Sequence, residues 1–145
     1  MQIQLALRVL DWQPAKMTNA YLKAERQVLT KAAARGRTIA RRAMRKRNRA
    51  ARPGEAPSVR QGQLKRFLLF AYEADKHTAV FGPKKLQGSG DTPEALEHGK
   101  TTGRMVGRGK NRRRQSVAYE KRPAMVPALQ DISPGLPAMW KNAIK

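Results

Sequence analysis

Residues 18–51 read TNAYLKAERQVLTKAAARGRTIARRAMRKRNRAA, and whether this stretch forms one helix decides the fold. It contains no proline. Met17, Tyr21, Ala24, Val28, Ala32, Ile39 and Ala43 recur at three- and four-residue steps, broken once at Arg35, which is the period of an apolar stripe on an α-helix. We therefore expect one long amphipathic helix from about Thr18 to Ala51, with a thin stripe and a second half that trades large apolar residues for arginine. Gly36 marks either a weak point or a close packing contact.

That second half carries Arg37, Arg41, Arg42, Arg45, Lys46, Arg47 and Arg49, and no acid stands between Glu25 and Glu55. At 100° per residue a helix would gather Arg41, Arg45 and Arg49 on one side, with Arg42 and Lys46 on its flank. Such a row can follow a phosphate backbone. Without a second helix in a turn motif to aim it at base edges, it does not specify a sequence. Six of these charges on phosphates would give a salt slope of about −5. The equally weighted alternative is a charged outer face, or the wall of a pore that DNA passes without tight binding.

The 145 residues fit a single domain, 1–145, because a chain this long buries roughly 68–70% of its unfolded surface in one core. With 40% apolar and 6% aromatic residues that core is modest, so stability leans on neighbours. The excess of 31 Lys and Arg over 10 Asp and Glu, a net charge of +21, makes isolated copies repel and directs the chain to polyanions or acidic protein surfaces. The absence of cysteine excludes disulfides, thiolate metal sites and a cysteine nucleophile. The longest apolar run, Phe67 to Tyr72, falls far short of the ~20 residues that span a bilayer. The first residues lack a basic segment and cleavage site, so we expect synthesis and folding in the cytoplasm without a membrane partner.

Ahead of the helix, Ile3, Leu5, Leu7 and Val9 alternate with polar or small residues, the pattern of a half-buried strand that Pro14 ends. After the Pro53-Gly54 break, Leu64 to Ala74, a polar turn at Asp75 to His77, and Thr78 to Phe81 predict a hairpin. Thr92-Pro93-Glu94 predicts a short helix with a threonine cap, ending near Gly99. Residues 100–115, rich in glycine and arginine, predict a mobile basic loop, with a strand returning at Ser116 to Tyr119. In the tail, Pro127 fits the first position of a helix, Ser133-Pro134-Gly135 a break, and Met139, Trp140 and Ile144 a last amphipathic stretch. The fold class is therefore α+β: a long N-terminal helix on a small, mainly antiparallel sheet, with a C-terminal helix covering a sheet edge or reaching a neighbour.

Residues that could carry chemistry are sparse. His77 and His98 lie in separate segments with no partner at helical spacing, and read as a turn histidine and a helix-end histidine. Glu94 and Glu97 read as surface charges or as partners of a helix dipole. GSGDTPEALEHG, residues 88–99, lacks the Lys-Ser/Thr of a P-loop, and GRMVGRGKNRRR, residues 103–114, lacks aromatic residues for stacking bases. We expect no catalytic, metal or cofactor site. The candidate contacts with DNA or an acidic partner are Arg41, Arg42, Arg45, Lys46 and Arg49 on the helix, with Arg104, Arg108, Arg112, Arg113 and Arg114 in the loop.

The order of the segments resembles the neck or tail-completion family of long-tailed bacteriophages, the minor tail protein Z-like or tail-component group. The resemblance rests on a small-residue helix followed by Gln61-Gly62-Gln63-Leu64, the strand end Val80-Phe81-Gly82-Pro83, the helix end Leu96-Glu97-His98-Gly99, and Arg122-Pro123-Ala124-Met125-Val126-Pro127-Ala128-Leu129. It spans Thr18 to Ile144. Gln61 stands where the family has Thr or Ser, and the basic insertion 100–114 is long. The resemblance implies a non-enzymatic virion protein of the head–tail neck, forming a ring with itself, typically of six copies. Its neighbours would be head-closure or connector proteins on one side and tail terminator or tail tube proteins on the other, with packaged DNA inside. The alternative is a free nucleic-acid-binding protein without sequence preference.

Overall fold

A computed structural model describes residues 13–59, 63–84, 92–107, 112–141 and 143. The alternating segment 2–9, the Gln61-Gly62 pair, the glycine-rich stretch 88–91, Arg108 and Ile144 lie outside the described residues. The fold is α+β, as the sequence predicts. Helix α1, Pro14–Ala43, runs along one side. A single turn, α2, Gln63–Arg66, leads into the strands β1, Leu68–Glu73, and β2, Thr78–Pro83. Helix α3, Thr92–His98, is followed by β3, Thr101–Val106, and β4, Arg113–Ala118. The chain ends in α4, Met125–Ile132, and α5, Leu136–Lys141, divided at the predicted Ser133–Gly135 break.

Helix α1 begins four residues ahead of the expected start, because Pro14 opens it at N1 where a missing N–H costs nothing. Its buried face holds Ala24, Val28 and Ala32 of the expected stripe, together with Ala33, Gly36 and Ala40, while Met17 and Tyr21 stay exposed. The helix stops at Ala43, eight residues before the expected end. Met44 turns out of it into extended backbone and is 1% exposed, packed in the core with Val59, Leu68, Ala124 and Ala128. The following backbone is used by another segment, since the Val59 N–H donates to the Arg45 carbonyl at 3.0 Å. Burying one large side chain outweighs two further helical turns made mostly of like charges.

Strands β1 and β2 pair antiparallel with Leu68 opposite Pro83 and Phe70 opposite Phe81. Leu68, Phe70, Tyr72 and Phe81 share the face laid on α1. Leu69 and Val80 fall on the other face and remain exposed. The sheet is not continuous: β3 and β4 form a separate antiparallel pair. The C-terminal helices lie against α1, and Ala124 and Ala128 also join Leu68 of β1 in the core, with Tyr21 and Trp140 stacked at 6.0 Å between ring centres. Pro127 is the third residue of α4 and not its first. Among the described residues Met44 and Leu68 are the largest fully buried side chains, so much of the core is alanine.

Gly36 is the close contact. A methyl group there would sit 2.7 Å from Cε1 and 2.8 Å from Cζ of Phe81. Gly36→Ala gains up to about 1 kcal/mol of helix propensity but over-packs the ring at a cost of about 1–3 kcal/mol. We expect a net loss of about 1 kcal/mol in a urea unfolding curve, reversed in sign when Phe81→Leu is the background. A stabilised Gly36→Ala protein would contradict this packing.

Candidate nucleic-acid interface

The arginines around the end of α1 divide into two groups. Arg37 is structural: its Nε donates to the Leu68 carbonyl at 2.7 Å and its guanidinium carbon lies 5.8 Å from the Phe70 ring centre. Arg47 pairs with Glu55 at 3.2 Å, and both side chains are exposed enough that the pair contributes at most about 1 kcal/mol. Arg41 and Arg42 occupy the last turn, where cations complement the helix dipole. Arg45, Lys46 and Arg49 lie beyond the helix, in exposed irregular backbone. The expected single row of Arg41, Arg45 and Arg49 is therefore not formed, because helical periodicity stops at Ala43.

The segment read as a mobile basic loop is for the most part a β-ribbon. Thr101 pairs with Ala118, Met105 with Arg114 and Val106 with Arg113. Thr101, Thr102, Val106 and Val117 favour extended backbone, and Gly107 takes φ 110° where the strand ends. Arg104 occupies the register position opposite Gln115. Arg112, Arg113 and Arg114 are exposed. The Arg114 guanidinium lies across Gly103, where a methyl group would approach its Cζ to 3.1 Å. Among the described residues, α3 is the element the ribbon chiefly touches, so it stands away from the core.

Its root is firmly held. Gly99, at φ 74°, and Lys100 both donate to the Ala95 carbonyl, Tyr119 donates to Lys100, and the Arg122 N–H donates to Leu96 at 2.6 Å. The Glu97 carboxylate accepts from the N–H groups of Ala124 at 2.9 Å, Met125 at 3.0 Å and Val126 at 2.8 Å. Helix α4 has no side-chain cap of its own at Ala124; Glu97 supplies one from the end of α3. The Arg122 guanidinium then ties this root to the segment after α1, donating to the Ala51 carbonyl at 3.0 Å and to Glu120 at 2.7 Å. The Gly54 N–H donates to Lys121 at 2.8 Å. The two cationic elements therefore share one hydrogen-bonded anchorage. Sequence reading missed this use of Glu97.

Beside the anchorage is a cleft of about 400 Å³, walled by apolar residues that include Met44, Leu64, Phe81, Leu96 and Met125. Glu94, His98 and Arg122 are polar members of its lining. Glu97 also lines it, but three backbone donors already occupy its oxygens, which leaves it poorly placed as a base. On the other side of the fold His77 sits in the expected turn, at φ 50°, with Nδ1 3.0 Å from Oε1 of Glu25, which is 3% exposed. The Tyr72 hydroxyl donates to the same oxygen at 3.3 Å. Burial, and then the Glu25 charge, push the Tyr72 phenol above its usual 10.0. This cluster fastens the β1–β2 turn to α1. Among the described residues no three His, Cys, Asp or Glu side chains gather to hold a metal ion, and no helix is long and apolar enough to cross a membrane.

Comparison of the chain with protein-family models, with curated proteins and with solved structures finds no match.

Proposed function

We propose that the chain is a structural protein of the head–tail neck of a long-tailed bacteriophage, a tail-completion component that closes with copies of itself into a ring around the DNA path. The observation that supports the reading is a thin core beside exposed apolar side chains. The core is largely alanine, while Leu69 and Val80 on β1–β2 and Val126 and Leu129 on α4 remain exposed. Leu69 and Val80 share the hairpin face turned away from α1 and offer a neighbour an apolar strip. Net charge of +21 opposes association of bare copies, so assembly needs acidic neighbours or an enclosed polyanion. The resemblance names an assembly that offers both. The two closing segments of the resemblance, 96–99 and 122–129, are joined here through Glu97 and the Arg122 N–H.

In this reading the work is mechanical, joining the tail to the filled head, with no reaction catalysed. Deleting the gene from the phage or prophage that carries it should yield DNA-filled heads and separate tails by electron microscopy, and a plasmid copy should restore joined particles. Infectious particles without the protein, or a solitary DNA-binding monomer absent from purified particles, would end the proposal.

A further inference from the structure

We propose that the β3–β4 ribbon is an arm for B-form duplex DNA, inserted in the major groove with its arginines reaching the phosphates on either side. This deepens the neck reading and rests on it only for the origin of the duplex. Three observations point to this partner. First, strand alternation turns Arg113 to one face and Arg114 to the other, because they oppose Val106 and Met105 in successive register positions. A surface made to lie flat on an acidic protein ring needs cations on one face only, whereas a groove has phosphates on both sides and admits a two-stranded ribbon.

Second, no acid occurs between Glu97 and Glu120, so nothing within the ribbon competes for these guanidiniums. Arg37 and Arg47, by contrast, already have partners within the chain, the Leu68 carbonyl and Glu55. Third, residues 101–118 contain no aromatic side chain, which removes the stacking platform that single strands require. The deep, narrow major groove of A-form RNA does not admit a ribbon. The root described above holds the arm in place, so binding does not have to order it first.

The test is binding of the full-length chain to a short DNA duplex of arbitrary sequence, followed by fluorescence anisotropy over a range of NaCl concentrations. Single-stranded DNA, an RNA duplex and polyglutamate serve as rival ligands. The duplex should bind best, and R112Q/R113Q/R114Q should lower the magnitude of the salt slope by about 3. The corresponding triple lysine variant, which keeps the charge, should retain most of the slope and so separates lost phosphate contacts from lost structure. An unchanged slope in the glutamine variant overturns the assignment. So does equal or tighter binding of polyglutamate, RNA duplex or single strand. Particle assembly is read separately: joined particles with no DNA binding sink the arm and spare the neck, and binding without assembly does the reverse.

Discussion

Glu97→Ala should destabilise the fold by about 2–4 kcal/mol, the cost of withdrawing a charged acceptor from three N–H groups at a half-buried helix start. Its position sharpens the test. Glu97 sits in the last turn of α3, where a negative charge opposes the helix dipole by about 0.3–1 kcal/mol, so a solvent-exposed role would make alanine neutral or better. Direct bonds to Ala124, Met125 and Val126 outweigh that term. Once they are lost, the eight-residue α4 loses its start, and with it the seating of Ala124 and Ala128 against Met44 and Leu68. Glu97→Gln keeps one acceptor oxygen but turns an amide towards the same donors, and should lose about half as much. Urea midpoints give the size of the loss, and hydrogen exchange at residues 124–126 gives its location. A change below about 0.5 kcal/mol in the alanine variant would show that water caps α4 as well as Glu97 does.

What the sequence made legible, and what it hid, follows from the range of the interactions. The first half of α1 and the β1–β2 hairpin were readable because their signals are local. Ala24, Val28 and Ala32 repeat at helical period, and Asp75 to His77 separates two runs of strand-forming residues. The end of α1 was not readable. Helical propensity continues through Arg45 and Lys46, and the distant Val59, Leu68, Ala124 and Ala128 give Met44 a reason to leave. The ribbon was misread because its strands are exposed and carry no alternation of apolar and polar residues; backbone pairing, aided by Thr101, Thr102 and Val117, makes it a hairpin. Glu97 did leave a trace. Helix α4 begins at Ala-Met-Val with no Ser, Thr, Asp or Asn to cap it, and such a start requires an acceptor from elsewhere. Among the candidate site residues, the sequence located the cations but not the grouping that backbone geometry imposes on them.

Removing both donors from Glu25, as Tyr72→Phe with His77→Gly, should cost about 3 kcal/mol, because a carboxylate 3% exposed would be left without partners. Glycine is the better probe at position 77. Its left-handed backbone, φ 50°, strains any larger residue by about 1–2 kcal/mol, so glycine relieves the turn and leaves the lost donor as the penalty. Tyr72→Phe alone should cost clearly less than the double variant. Adding Glu25→Leu to the double variant should recover at least half of the loss, since an apolar side chain of similar volume needs no donor. Alkaline titration probes the same cluster. The folded state raises the Tyr72 phenol above 10.0 through burial and the Glu25 charge, against an opposing influence from Arg26. A group raised on folding contributes stability that is complete below its unfolded value and disappears as pH climbs through the folded one. Wild-type protein should therefore lose stability over that alkaline interval by an increment that Tyr72→Phe lacks. If the double variant unfolds at the wild-type urea midpoint, Glu25 is supported by something other than these two side chains, and the joint between the hairpin turn and α1 must be sought elsewhere.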